Sequence, residues 1–396
     1  MLESVFPQRH FRGMKIRRVS LFLPRDTRWY RMLSRQMAQG FSQAGLEVSY
    51  CCGLLDQAGL SDWINQYRPD VIFEMNRARN DVPFLPKHII HICWLVDFNG
   101  RVISDFYGSE ITYLFSANWL DKFCYDGFYR WLAPGACLND YYPATPDVRY
   151  PASFVGHIPK PWSMDELDAD ISADSIPLRF GEVLPILESR ITSQRNYLNV
   201  HDDYLALLQT VAKDYFNRTV KLTNKLEYDV SGRLIRMLNR RELIDNILTV
   251  TDLALFGPQN WNDWDVYRPY YHCQLDSVMQ MRQVYAGSQI NLHEGESAHF
   301  RVMDCMASGG LILIKKNHWD ELVGGGIRNF FVPGLHYLEF DVDQVGDICR
   351  YYLNQPLAAQ KIRSAAVKAV RQAHTWRHRA EAILADLAGL GYKVAC

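Results

Sequence analysis

Residues Ser288–Leu313 read SQINLHEGESAHFRVMDCMASGGLIL. An apolar segment ends at Leu292, a polar loop follows, an apolar-periodic segment covers about Phe300 to Ser308, and a second apolar run starts at Leu311. This order predicts strand, loop, helix, a Gly309–Gly310 turn and a second buried strand. Glu296 and Asp304 stand eight positions apart, with His293, Glu294 and Arg301 around them. Such a loop sets acids and a guanidinium at the carboxyl edge of a parallel sheet, where open α/β sheets take their ligands. A helix start at that edge also presents free N–H groups to an anion.

Outward from this stretch the chain keeps an alternating rhythm. Arg18–Leu23, Glu47–Cys52, Val71–Glu74, Ile89–Val96 and Ile111–Phe115 read as strands. Helical segments lie at Thr27–Ala44, Leu60–Tyr67 and Trp119–Asp126. Alternation of this kind implies a parallel sheet covered on both faces. Prolines and a glycine cluster at Pro134–Gly135, Pro143, Pro146 and Pro151, which marks a boundary. A fresh strand, Ala152–Val155, then ends in Gly156–His157. From Trp162 to about Asn246 the chain is polar, with apolar residues at helical spacing in Val200–Phe216 and Leu234–Leu248. That stretch is longer than one crossover needs and reads as a helical insertion. The rhythm resumes with strands at Thr249–Phe256, Ile290–Leu292, Leu311–Lys315 and Asn329–Pro333. Helices fall at Val278–Tyr285, Val345–Asn354, Leu357–Ala373 and Trp376–Leu390. The fold class is therefore α/β, with two Rossmann-like domains facing a central cleft, the usual place for a small-molecule site. The expected domains are 1–150, 151–375 with the insertion at about 162–246, and a terminal helix within 376–396 that packs back on the first domain.

Composition narrows the function. The 396 residues are 48% apolar and 22% charged, typical of a folded chain of two domains. A net charge of −1 and no basic aromatic motif argue against nucleic acid as a partner. The nine cysteines form no Cys-x-x-Cys pair, which fits a reduced, cytoplasmic protein rather than a disulfide framework. No apolar run reaches the roughly 18 residues that span a bilayer. The first 13 residues hold Arg9 and Arg12 without an apolar core and read as a loose leader.

Several residues, in order, carry a family likeness. These are Phe154–Gly156, Phe256–Gly257 with Trp261, Tyr285–Leu292, Arg301-Val-Met-Asp304, Ala307–Gly310, Leu353–Pro356, and His374–Thr375 with Arg379. Together they resemble the group-1 glycosyltransferase superfamily of GT-B fold, in the branch similar to spore-maturation (CgeB-like) proteins. The likeness covers about a third of the chain; the amino-terminal half matches only as a generic Rossmann-like domain. The resemblance implies a nucleotide-sugar donor bound mainly by the second domain, no cofactor and no metal. It places Glu296 near the transferred sugar and sets Asp304, an Asp where Glu is usual, toward the ribose hydroxyls. The family tends to have an Arg and a Lys after the donor domain's first strand. Here His157 follows Gly156 and Lys160 is the basic residue. Arg301 is then a further candidate for the phosphates.

Sugar transfer forms an oxocarbenium-like centre while a nucleoside diphosphate leaves with growing negative charge, so cations or N–H dipoles belong at the leaving group. Lys160, Arg301 and the N–H groups of Ala307, Ser308, Gly309 and Gly310 are candidates. Near the acceptor hydroxyl the candidates are Asp97, His293 and Glu294, beside Glu296. Each has a structural rival reading: Asp97 caps a turn before Asn99–Gly100, His293 caps a strand, and Lys160 is an exposed lysine between prolines. Arg301 is a surface ion-pair partner on that reading, and Gly309–Gly310 only ends a helix. Arg233, Arg236 and Arg240 share a helix face that offers a peripheral contact with the inner face of a membrane or a lipid-linked acceptor. A solvated face or a dimer contact explains the same pattern. The acceptor is a glycan, a lipid-linked glycan or a protein. The competing readings are a sugar-nucleotide epimerase and a non-catalytic binding protein of the same fold.

Overall fold

The computed structural model describes residues 15–394 apart from 99–100, 102, 122, 124–126, 144–146, 195–200 and 323. The expected leader, the Asn99–Gly100 turn and Pro146 lie outside the described residues. The chain opens with β1 (Lys15–Ile16), β2 (Arg18–Leu23), α1 (Arg28–Gln43), β3 (Glu47–Cys52), α2 (Gln57–Tyr67), β4 (Val71–Met75), β5 (Ile90–Leu95), β6 (Ile111–Leu114) and β7 (Phe128–Trp131). It continues with β8 (Tyr150–Val155), α3 (Met164–Leu167), α4 (Phe180–Gln194), α5 (His201–Phe216), α6 (Asn224–Tyr228), a π-helical segment (Asp229–Leu234) and α7 (Ile235–Leu248). β9 (Leu253–Phe256), β10 (Tyr271–Cys273), α8 (Val278–Gly287), β11 (Ser288–His293), α9 (Phe300–Ala307) and β12 (Ile312–Lys315) follow. The last elements are β13 (Leu338–Phe340), α10 (Val345–Asn354), α11 (Pro356–Ala373), α12 (Trp376–Gly389) and β14 (Lys393–Val394).

Two compact units result: Met1–Asp147 with Glu296–Glu339 and Leu357–Cys396, and Val148–Gly295 with Phe340–Pro356. In the first, six parallel strands run in the order β3-β2-β4-β5-β6-β7. Because side chains alternate along a strand, two apolar sets form. Val19, Leu21, Phe73, Ile92 and Trp94 meet Met37 and Phe41 of α1 and Ile383 of α12. Phe22 and Ile72 meet Leu60 of α2 on the other face. The α1–α12 approach is close enough that a Cβ on Gly40 would lie 2.3 Å from that of Trp376. One buried acid interrupts β4. Glu74 is neutralised by Arg77 (Nε to Oε2, 2.7 Å) and bonded by His91 Nε2 at 3.0 Å, as an ion in a core must be.

In the second unit β10-β9-β8-β11 are neighbours, with β8 parallel to both β9 and β11. The stretch expected as an insertion forms α3 to α7 and has its own core, including Val183, Leu187, Leu208, Val211, Val230 and Leu234. Among the described residues no helix is long and apolar enough to cross a membrane.

Three local expectations change. Trp119–Asp126 is not a helix in its described part: a 3-10 turn covers Ala117–Trp119, and the missed edge strand β7 follows. Asn329–Pro333 is not a strand; a 3-10 turn at Ile327–Asn329 precedes it, and the strand is β13. The third concerns Glu296–Glu339 and residues 357–375, which the sequence placed with the second domain and the contacts group with the first unit. One anchor is Phe300, stacked on Phe115 at 5.3 Å and 19° and set edge-on to Trp29 at 5.3 Å, and another is Phe330, stacked on Trp131 at 4.8 Å.

Candidate active site

Gly295, at φ +105, turns the chain after β11, and the polar loop then runs into α9. His299 caps that helix: its Nδ1 accepts from the backbone N–H of Arg301 at 3.2 Å. The Arg301 Nε lies 3.4 Å from the same nitrogen, so Nδ1 carries the lone pair. With Phe300 locked among aromatic rings, the loop that holds Glu296 has a fixed end.

Glu296 is half-buried, and burial pushes its carboxyl up to about 7. Its partner is the hydroxyl of Ser116, which also lies 2.7 Å from Asn118 Oδ1. A serine hydroxyl has one proton and cannot donate to both. A protonated Glu296 donating to Ser116, which in turn donates to Asn118, satisfies all three groups and agrees with the raised carboxyl. Asp320 adds a second acid. It is buried, accepts from the Asn317 N–H at 3.0 Å, and burial raises it to about 6. Its charge in turn raises Glu296. The buried hydroxyl of Ser297 lies beside Asp320. Two raised acids with serine hydroxyls around them can exchange a proton near neutral pH and hydrogen-bond a polyhydroxy ligand.

Other expected residues fall differently. Asp304 is half-buried, and burial raises its carboxyl well above the ordinary range although the Tyr141 hydroxyl bonds to it. Ser308, Gly309 and Gly310 use their N–H groups to end α9, on the carbonyls of Asp304 (3.0 Å), Met306 (3.1 Å) and Cys305 (2.9 Å). Those donors therefore do not face an anion, and Gly309 at φ +78 is the left-handed residue after the Ser308 C-cap. The Ser308 hydroxyl is likewise spent on the Asp304 carbonyl at 2.7 Å. Asp97 is exposed at the carboxyl end of β5, with its N–H held by Asn76 Oδ1 at 3.0 Å.

In the second unit, β8 leads into Gly156–His157 and β11 into the buried pair His293 and Glu294. Lys160 is exposed and paired with Asp263 at 3.4 Å. Two of the three arginines read as a membrane face, Arg233 and Arg240, are turned inward. Arg233 is paired with Glu166 at 2.5 Å and stacked over Trp162 at 3.9 Å. Arg240 is 5% exposed, with its Nε 3.1 Å from Glu294 Oε2 and Nη1 on the His157 carbonyl. An ion pair with both partners this buried leaves Arg240 no charge to offer a lipid surface. Sequence reasoning missed Ser116 and Asp320. Neither carries a local motif for this role, because each meets Glu296 only through tertiary folding.

With this geometry in hand, the similarities to known proteins can be placed. Residues 233–385 match the family model described as glycosyl transferase-like. No curated protein sequence matches the chain. Among solved structures, HepE of Anabaena in complex with UDP and glucose is similar at TM-score 0.52 and 10% identity, covering 94% of this chain and 99% of that one. Its complex with UDP-glucose gives TM-score 0.51 at 10% identity, with coverages of 94% and 99%. A glycosyltransferase from Rickettsia africae gives 0.49 at 9% identity, with coverages of 95% and 98%. The HepE likeness shows the fold, which is GT-B with two Rossmann-like domains, as the resemblance implied.

Proposed function

We propose that this protein transfers a sugar from a nucleotide sugar to an acceptor hydroxyl. The supporting observation is that the segment matched as glycosyl transferase-like contains Glu296, a carboxyl raised to about 7 beside the Ser116 hydroxyl and a second acid, Asp320. In the reaction the acceptor oxygen bonds to the anomeric carbon, the bond from that carbon to the phosphate oxygen breaks, and the nucleoside diphosphate leaves. The acceptor proton must go to a base, and a group near pH 7 suits that exchange. On this reading Glu296 lies beside the transferred sugar. HepE, whose fold is shared, binds UDP-glucose, which makes uridine diphosphate sugars the first donors to try. The remaining parts of the proposal are a metal-independent reaction, a cytoplasmic setting, membership of the spore-maturation-like branch, and a glycan, lipid-linked glycan or protein as acceptor.

A second reading, a nucleotide-sugar-binding protein without turnover, is favoured by one feature. Asp304 stands where the resembling family usually has Glu, and the Tyr141 hydroxyl already bonds to its carboxyl. Thermal unfolding with UDP, GDP, ADP, dTDP and CMP and their sugar conjugates tests the donor class. At 100 times its dissociation constant a ligand stabilises by about 2.7 kcal/mol. One nucleotide should stand out, and the sugar-dependent part of its shift should vanish in Glu296→Ala. A flat panel at millimolar ligand would reject both readings.

A further inference from the structure

The insertion of the second unit carries Arg233, Arg236, Arg240 and Arg241 within nine residues. Three of them are accounted for inside the unit. Arg233 is held by Glu166 and Trp162, Arg240 by Glu294 and the His157 carbonyl, and Arg241 lies over the Trp264 ring at 5.5 Å. Arg236 differs. Among the described residues it has no carboxylate partner, and its Nη1 lies 3.3 Å from His157 Nε2. A guanidinium only donates, so this contact requires a lone pair on Nε2 and a neutral imidazole. The positive charge of Arg236 is therefore not offset by its partner.

Its position is set by the carboxyl ends of three neighbouring strands. The loops after β8 and β9 touch: Trp261 Nε1 donates to the Gly156 carbonyl at 2.9 Å, and a Cβ on Gly257 would come within 1.9 Å of that oxygen. Arg240 ties α7 to the loops after β8 and β11 through the His157 carbonyl and Glu294. Arg236 precedes Arg240 by four residues, so it shares its helix face. The π-helical segment at Asp229–Leu234 changes the helical phase just before this pair, a distortion that recurs at functional positions. A half-buried, unneutralised guanidinium is thus fixed over the carboxyl edge of a parallel sheet, where phosphate-bearing ligands bind.

We propose that Arg236, oriented by His157, binds the diphosphate of the nucleotide donor. The insertion then supplies a leaving-group cation beyond Lys160, the basic residue of the loop after β8, which is paired with Asp263. The inference rests on the donor reading above and deepens it. A guanidinium matches two phosphate oxygens at once, and Arg236 donors not directed at His157 remain for them.

Isothermal titration with UDP, GDP, ADP and dTDP, each beside its parent nucleoside, tests the assignment. Wild type should bind one diphosphate. Arg236→Ala should weaken that binding by roughly 10- to 100-fold, as expected for loss of a charge-assisted bond, and leave nucleoside affinity unchanged. Arg236→Lys should fall between the two, and Lys213→Ala, an exposed change in the same insertion, should match wild type. Equal diphosphate affinity in wild type and Arg236→Ala would overturn the inference while sparing the donor reading. Parallel loss of nucleoside and diphosphate binding would make Arg236 structural and also overturn it. No binding by wild type to any of the four would overturn this inference, and the donor reading falls with it if CMP and the sugar conjugates also fail to bind.

Discussion

Replacing Glu296 with Gln isolates the cost of ionising that carboxyl. Its ordinary value is 4.5 and burial moves it to about 7, so the folded protein keeps a proton that the unfolded chain loses between those values. Folded-state affinity for the proton makes stability fall as pH rises through this window and level off above about 7. At about 1.4 kcal/mol for each tenfold change in proton affinity, the shift corresponds to roughly 3 kcal/mol. That figure is a ceiling, since the side chain keeps some contact with water. Gln resembles the protonated acid and does not titrate. Glu296→Gln should therefore match wild type near pH 4.5 and exceed it at pH 8, by several degrees in melting temperature for a unit of this size. The assay is thermal unfolding of both proteins at half-unit pH steps. Because Asp320 raises Glu296 through its charge, Asp320→Asn should shift the wild-type inflection toward lower pH. A pH-independent difference between Glu296→Gln and wild type would refute the claim that this carboxyl is raised.

Arg240→Ala removes the partner of a Glu294 that is 6% exposed, and stranding a buried charge costs roughly 3–5 kcal/mol. Chemical denaturation should show that loss, with much of it recovered in an Arg240→Met, Glu294→Gln double variant. Gly257→Ala sets a side chain at φ +144 against the Gly156 carbonyl and should cost roughly 3 kcal/mol or more in the same assay. Phe300→Ala empties an aromatic site between Phe115, Trp94 and Trp29, with an expected loss of about 3–5 kcal/mol.

Long strands and helices were legible because their periods are local. β2 and β3 match their expected spans to the residue, and Thr27 caps α1 as a short polar residue before an apolar-periodic run should. Short edge elements were not. β7 and β10 have too few residues for a period to appear. The loop before α9 was legible as a set of polar residues, but its environment was not. Ser116 meets Glu296 across 180 positions, and Glu294 meets Arg240 across 54. A helical wheel shows that arginines share a face, not whether that face meets carboxylates. The inward turn of Arg233 and Arg240 therefore had to come from tertiary structure. The grouping of Glu296–Glu339 with the first unit follows tertiary contacts such as Phe300 on Phe115 and Phe330 on Trp131, and no local pattern encodes them.

Release of nucleoside diphosphate from nucleotide sugars tests the central claim most directly. The nucleotide sugar chosen by the binding panel would be incubated with wild type and Glu296→Ala, with water or a sugar alcohol as acceptor and with EDTA present throughout. The account predicts slow diphosphate release by wild type, reduced by roughly 10²-fold or more in the variant. Binding of the nucleotide sugar without any release would contradict it and leave a binding protein in its place. Equal release by Glu296→Ala would contradict the placement of that carboxyl beside the reacting sugar.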